Sequence, residues 1–328
     1  MTNKTLEVLY IEITNHCNYG CRHCGNDEKP NTLEYKTIER VLDDFKRGGG
    51  KKLVITGGEP LLHPRIEDIL AKAQDYETKL STNGLLLNNP RYQFALGYNH
   101  DFKLSLDGPR EVHNKIRGSE HAYDYTIKAM KKITETGREM VVRTTVMRSN
   151  LEHIGEMIWE LDRLTREEGI KMHSLKLWPI RNIGKANKNE AITPKLYKAF
   201  LRILDYNTKS LEPTFRIIVG PTFGMEKEFK SGSIETDDLY KCNILSKSLE
   251  ITPTGDVYPC SFLHHSLGNI KQEGIQEIFT SEKTERFREE FFQRKKEACG
   301  PCKSYEECKG GCVAETYGKQ NKDIYCFR

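Results

Sequence analysis

The sequence predicts an α/β protein: a parallel sheet with intervening helices, followed by a small cysteine-rich α+β domain. Three observations carry this. Short apolar or β-branched segments alternate with helical patterns through the first part of the chain. Glycine-, asparagine- and aspartate-containing turns follow several of those segments directly. The ten cysteines are divided, with three at Cys17, Cys21 and Cys24, seven between Cys242 and Cys326, and none in the 217 residues between.

The strand segments are Val8–Ile13, Lys52–Thr56, Thr78–Ser81, Phe102–Ser105, Met140–Thr145 and Ser174–Trp178. Each is short and is bounded by Gly, Pro, Asn or charged residues. Between them, Tyr35, Ile38, Leu42 and Phe45 recur at helical spacing. Leu151, Ile154, Ile158, Leu161 and Leu164 do the same after Asn150, a residue suited to an N-cap. Strands linked through helices run parallel. Six units are too few for a closed eight-stranded barrel, so a partial barrel and an open doubly wound sheet both fit. Residues 180–189, IRNIGKANKN, read as a loop or linker. Helical periodicity returns around Leu196–Leu204. Leu249–Tyr258 reads as a hairpin around Thr254–Gly255, and a charged helix covers about Thr284–Lys296. The expected division is 1–190, a bridging region 191–240, and 241–328.

Composition excludes several classes. The 51 Lys and Arg nearly balance 47 Asp and Glu, which argues against a chain built for nucleic acid or anionic membrane. No apolar run is long enough for a membrane span, and MTNKTLEVLY lacks the apolar core of a signal peptide. A cytoplasmic location is expected, and there ten cysteines point to metal or redox chemistry. Lys51–Lys52, Lys131–Lys132 and Arg294–Lys296 read as solvated faces.

Cys17-X3-Cys21-X2-Cys24 follows the first strand. Three thiolates without a fourth describe an open, reactive site; His16 or His23 would instead complete a structural zinc site. Gly57-Gly58-Glu59-Pro60 follows the second strand, Ser81–Gly84 the third, and Ser105–Gly108 the fourth. In a parallel sheet these ends share the carboxyl edge, where α/β proteins bind ligands. Glycines there admit close backbone approach, and Glu59 can accept hydrogen bonds from an ammonium group. Each motif alone is an ordinary turn, Asp107 included; their shared location is the stronger signal.

With these residues in place, the chain resembles the radical SAM superfamily, through CNYGCRHC and GGEP, over roughly residues 6–180. The resemblance implies a partial (β/α)6 TIM-like barrel. It implies a [4Fe–4S] cluster on Cys17, Cys21 and Cys24, whose open iron binds S-adenosylmethionine. Gly57, Gly58 and Glu59 would meet the methionine ammonium, Ser105 and Asp107 the ribose, and Arg143 or Arg117 the carboxylate. The backbone near Leu177–Pro179 would flank the adenine. Reductive cleavage would give a 5′-deoxyadenosyl radical that abstracts a substrate hydrogen.

The later cysteines run Cys242-X12-Gly255-X4-Cys260, Cys299-X2-Cys302-X5-Cys308-X3-Cys312 and Cys326. One or two zinc sites would use such pairs. The full pattern resembles the SPASM extension, which implies two auxiliary [4Fe–4S] clusters and three in all. Cys299, Cys302, Cys308 and Cys326 would hold the outer one, and Cys242, Cys260 and Cys312 the inner. Seven thiolates leave an eighth position unfilled. Where some relatives have another cysteine this chain has Thr236, beside Glu235, Asp237 and Asp238. Sulfatase-maturing relatives place an aspartate base where this chain has Ser261, a departure that speaks against that activity.

The expected activity is that of a radical SAM oxidoreductase modifying or crosslinking a ribosomal peptide. The alternative is oxidation of a small metabolite: a sugar, a cofactor precursor or a tetrapyrrole. A non-catalytic iron–sulfur or zinc protein would explain the cysteines but not the strand-end motifs. A flavodoxin- or ferredoxin-type reductant is expected. The few residues before the first strand leave no room for the N-terminal peptide-recognition domain of many peptide-modifying relatives, which counts against the peptide expectation unless a separate protein supplies that domain. His63 reads as a helix-start or surface residue. His113, after the fourth strand, is a candidate to face substrate, and His264 and His265 sit near the inner cluster or at the surface.

Overall fold

The computed structural model describes residues 5–25, 29–181, 188–220, 233–236, 247–308, 310–312, 314, 316–318 and 323–326. The six expected strands form within two residues of their expected bounds: β1 Val8–Glu12, β2 Lys52–Thr56, β3 Glu77–Thr82, β4 Asp101–Ser105, β5 Met140–Val146 and β6 Ser174–Pro179. They pair in chain order, all parallel. Helices α1 Tyr35–Arg47, α2 Ile66–Lys72, α3 Arg110–Arg117, α4 Ala122–Glu135 and α5 Ile154–Glu168 lie between them, except that β3 runs to β4 through 3-10 turns at Leu86–Asn88 and Pro90–Gly97. This is the (β/α) pattern of a partial barrel.

Alternation decides what each face does. Leu9, Ile11, Leu53, Ile55, Leu80, Phe102 and Leu104 point to one face. There they join one core with Ile38, Leu42 and Phe45 of α1. The opposite, lumen face carries half-buried Tyr10, Glu12, Thr56, Ser81, Lys103, Ser105, Arg143, Lys176 and Trp178. A polar inner face has no core to join, so it is left to meet a ligand.

Both edges of the sheet extend beyond the expected strands. Past β6, α6 Pro194–Leu211 leads to β7 Arg216–Val219 and β8 Ile234–Thr236, both parallel. At the other edge, β9 Ser248–Ile251 pairs parallel to β1, with Glu250 opposite Tyr10. The hairpin forms as expected: β10 Asp256–Tyr258 returns antiparallel to β9, and β11 Gly268–Asn269 follows. Its turn needs Gly255, whose φ is +93°. Helices α7 Ile275–Thr280, α8 Glu282–Cys299 and α9 Tyr305–Cys308 complete the described chain.

Three expectations change. Asn150 does not cap α5, which is entered through a short 3-10 turn at Leu151–His153. Its side chain instead donates to Asp107 O and Thr145 O, each at 2.8 Å, and latches the ends of β4 and β5. Lys295 is not on a solvated face. It lies four residues after Phe291 on the inward side of α8, and its ammonium donates to Gly311 O at 2.6 Å. His63 is not at the surface: it is buried, and its Nε2 bonds Leu33 O at 2.8 Å. Within the 180–189 loop, residues 182–187 lie outside the described residues.

Candidate active site

The cysteine loop leaves β1 and returns at Thr32, pinned at its neck. Thr14 Oγ1 donates to Asn31 O at 3.1 Å, and Asn15 Nδ2 donates to Lys29 O at 2.7 Å. Cys17 and Cys24 are exposed, Cys21 is half-buried, and all are free thiols. His16 is exposed and His23 half-buried.

The end of β2 presses against this neck. Gly58 N donates to Thr14 O and Glu59 N to His16 O, both at 2.7 Å. Glycine is required: a Cβ on Gly57, at φ +150°, would lie 2.1 Å from Thr14 O, and one on Gly58 2.3 Å from His16 O. Glu59 turns inward and has no exposed surface. Its carboxyl accepts from Thr82 Oγ1 at 2.8 Å, Asn83 N at 2.9 Å and Leu61 N at 3.3 Å. Burial outweighs these bonds and pushes Glu59 up to about 7. Asn83 Nδ2 donates to Asn18 Oδ1 at 2.8 Å, tying β3 to the cysteine loop. Ser81 Oγ, on the lumen face, has no hydrogen-bond partner among the described residues.

The third contact comes from α3. Arg117 Nη1 lies 3.6 Å from Cys21 Sγ, and its Nη2 lies 2.6 Å from Asp107 Oδ2. Burial pushes the Cys21 thiol up, against the pull of the Arg117 charge. Burial also pushes Asp107 up, but Arg117 and the Thr145 N–H outweigh it and leave that carboxyl below its ordinary range. His113 is buried, accepts from Asp107 N at 3.0 Å, and is pulled down to about 3 by burial. A histidine so placed stays neutral and supports the β4 end. Ser105 pairs with Arg143, whose guanidinium sits 5.8 Å from the Trp178 ring. Leu177 is buried, and its carbonyl accepts from Gly220 N at 3.0 Å.

The Gly57–Glu59 turn, Asn83 and Arg117 therefore meet the cysteine loop. Sequence reasoning missed the neck residues Thr14, Asn15 and Asn31. Their one sequence signal is polar side chains flanking the triad at both ends. Among the described residues, no three His, Cys, Asp or Glu groups converge on the spacing of a single ion. Three free thiols spread along a mostly exposed loop suit a cluster, in which each iron takes one thiolate. The close-approach glycines beside them suit a ligand bound on that cluster.

In the C-terminal part, Cys299 is buried, and Cys260, Cys302, Cys312 and Cys326 are half-buried. Cys242, Asp237 and Asp238 lie outside the described residues, as does the Cys308 side chain. Glu235 on β8 is paired with Arg216, and Thr236 ends that strand. His264 is exposed and stacks on Tyr258, and His265 stacks on Phe287.

Asp323 organises the last two cysteine segments. It accepts from Cys312 N at 2.7 Å through its side chain and from Cys326 N at 3.1 Å through its backbone. The same carboxylate pairs with Arg181, just past β6, at 3.2 and 3.3 Å. Tyr325 OH donates to Ile180 O at 2.6 Å. The end of β6 is thus clamped to the cysteine-bearing tail.

Among the described residues, no helix is long and apolar enough to cross a membrane. Residues 11–160 match the radical SAM superfamily, and residues 242–309 match SPASM, an iron–sulfur cluster-binding domain. The chain is 25% identical to an AdoMet-dependent heme synthase of Nitratidesulfovibrio vulgaris, over 95% of this chain and 89% of the relative. It is 26% identical to the mycofactocin maturase MftC of Mycobacterium tuberculosis, over 94% of this chain and 78% of the relative. Streptococcus suis SuiB bound to S-adenosylmethionine superposes with a TM-score of 0.77 at 18% identity, over 99% of this chain and 78% of SuiB. SuiB bound to its precursor peptide SuiA gives the same TM-score of 0.77 at 19% identity, over 99% of this chain and 76% of SuiB. With both domain matches in chain order and the strand-end geometry beneath them, the chain belongs to the radical SAM superfamily and carries a SPASM domain.

Proposed function

We propose that this protein is a radical SAM/SPASM oxidoreductase that modifies a ribosomally made peptide. The observation that carries the reading is the meeting of the cysteine loop, the Gly57–Glu59 turn and the Arg117–Asp107 pair at the mouth of a polar lumen. A relative named a maturase and a fold neighbour bound to a precursor peptide favour a peptide as the substrate. Cys17, Cys21 and Cys24 would hold the reactive [4Fe–4S] cluster, and the C-terminal cysteines two more. With cluster and S-adenosylmethionine bound, the pair supplies a radical that takes hydrogen from carbon.

The chain's own residues position and shield. Gly57 and Gly58 keep the strand end against the loop and open to the methionine ammonium. Glu59 holds β2 to β3 from beneath, with its carboxyl turned to Thr82 and Asn83. Ser105 and Arg143, neighbours on the lumen face, would meet the ribose and the carboxylate. Arg117 directs its N–H toward Cys21 and balances the buried Asp107 charge. Leu177–Pro179 and the Arg181–Asp323 clamp wall off the β6 side, which limits water at the reacting carbon.

A second reading, chemistry on a tetrapyrrole, is favoured by the similarity to a heme synthase along nearly the whole chain. Iron and sulfide analysis of anaerobically purified protein is the first test, with roughly twelve irons per chain expected from three cubane clusters. Stoichiometric zinc without labile sulfide would overturn the reading. Anaerobic turnover with peptides encoded by neighbouring genes, followed by mass measurement, is the second. Loss of a hydrogen pair from a peptide supports the proposal. A mass change confined to a tetrapyrrole or another small metabolite replaces it.

A further inference from the structure

The lumen face carries one charged side chain that the cysteine loop and the strand-end network leave unused. Lys103 lies mid-β4, where alternation sends Phe102 and Leu104 into the core and Lys103 to the other side. Ser105 shares that face, about 7 Å further along the strand. The next strands bring cations alongside: Ser105 pairs with Arg143, and Arg143 pairs with Lys176. Lys103 makes no hydrogen bond or ion pair among the described residues. The acidic group facing it is Glu250 of β9, whose carboxyl is already bonded to Ser261 and Glu12. Burial raises that carboxyl toward its neutral form.

Burial, then the Arg143 and Lys176 charges, lower the Lys103 ammonium well below its ordinary range; Lys79 adds to this and Glu250 opposes it. An ammonium in such surroundings is stabilised by an anion brought to it. The nearby Glu12 and Glu250 carboxyls favour a singly charged partner, because a dianion would face them with a second negative charge.

We propose that Lys103 is the docking point for a carboxylate carried by the substrate, held deeper in the lumen than the cofactor. This rests on the peptide reading above and narrows it to a peptide that presents an acidic side chain or its own terminus to the lumen. The strand spacing then sets the reach: the anchored carboxylate sits below Ser105, and the carbon to be attacked lies between the two.

The test uses iron-loaded protein with S-adenosylmethionine under anaerobic conditions. Competitive acetylation reads the reactivity of Lys103 from neutral to alkaline pH, alone and with butyrate, butyramide or inorganic phosphate. Without additive, Lys103 should react ahead of the surface lysines. Butyrate should protect it and move its midpoint upward by about one unit or more, while butyramide leaves it unchanged. Titration together with the surface lysines, equal protection by butyramide, or phosphate outcompeting butyrate would each overturn the proposal.

A second arm uses any peptide the enzyme modifies. Converting its carboxylates to amides should raise KM about tenfold at unchanged kcat. Lys103→Arg should keep more of the acid–amide preference than Lys103→Met. Equal modification of acid and amide forms would sink the carboxylate site and leave the peptide reading standing. Butyrate protection in an enzyme that modifies only a non-peptide substrate would support the site and sink the peptide reading.

Discussion

Glu59→Gln should remove a pH dependence that the wild-type protein carries near neutrality. The carboxyl has no exposed surface, and burial lifts it from 4.5 to about 7. A raised carboxyl makes its full contribution to stability below the unfolded value and loses it as pH rises through the folded one. The whole shift is worth about 3 kcal/mol. Linkage places about 2 kcal/mol of it between about pH 5.5 and about pH 8. Glutamine has no proton to lose, so the wild type should weaken relative to the variant by that amount across the window.

A second effect is independent of pH. The amide nitrogen that Glu59→Gln introduces would face a backbone donor, Asn83 N–H, and an unmet buried donor costs about 1–3 kcal/mol. The two stability curves are therefore offset and also converge as pH rises. Urea unfolding of anaerobic, iron-loaded protein, followed through tryptophan fluorescence at several pH values, measures both. A wild-type-to-variant difference that stays constant across the window, or that widens as pH rises, would refute the buried-carboxyl argument.

Three further outcomes follow from the contacts. Gly57→Ala puts a methyl 2.1 Å from Thr14 O, so it should cost about 3 kcal/mol and lower iron incorporation at the N-terminal site; denaturation midpoints and iron content check this. Arg181→Met leaves the buried Asp323 carboxylate without its partner, a loss of about 3–5 kcal/mol concentrated in the C-terminal tail. Hydrogen exchange should accelerate there before it does in β1–β6, and uniform exchange would contradict the clamp. Arg117→Met removes the N–H directed at Cys21, so redox titration followed by EPR should show the N-terminal cluster at a lower potential, with C-terminal iron retained.

The sequence was most legible where the signal is local. The period-two strands appear as expected because apolar and polar residues alternate within five or six positions. The cysteine spacing and the Gly-Gly-Glu turn were legible for the same reason. Less legible were residues whose role comes from a distant partner. Asn150 looks like an N-cap in its neighbourhood, yet its amide reaches Asp107, 43 positions away. Lys295 belongs to a charged run, and only the Gly311 carbonyl turns it inward. Asp323 carries no motif, although it joins Cys312, Cys326 and Arg181.

By itself the sequence determined the family, the six strand segments and the thiols available to iron, since each depends on residue type at short spacing. Only the tertiary structure decided what fills the lumen and what closes its rim. The pairing of β9 with β1 brings Glu250 from the C-terminal part to face Lys103 across the sheet. The Arg181–Asp323 pair spans 142 positions of sequence. Such contacts depend on which elements become neighbours, and chain closure over those lengths leaves no periodicity for a sequence to display.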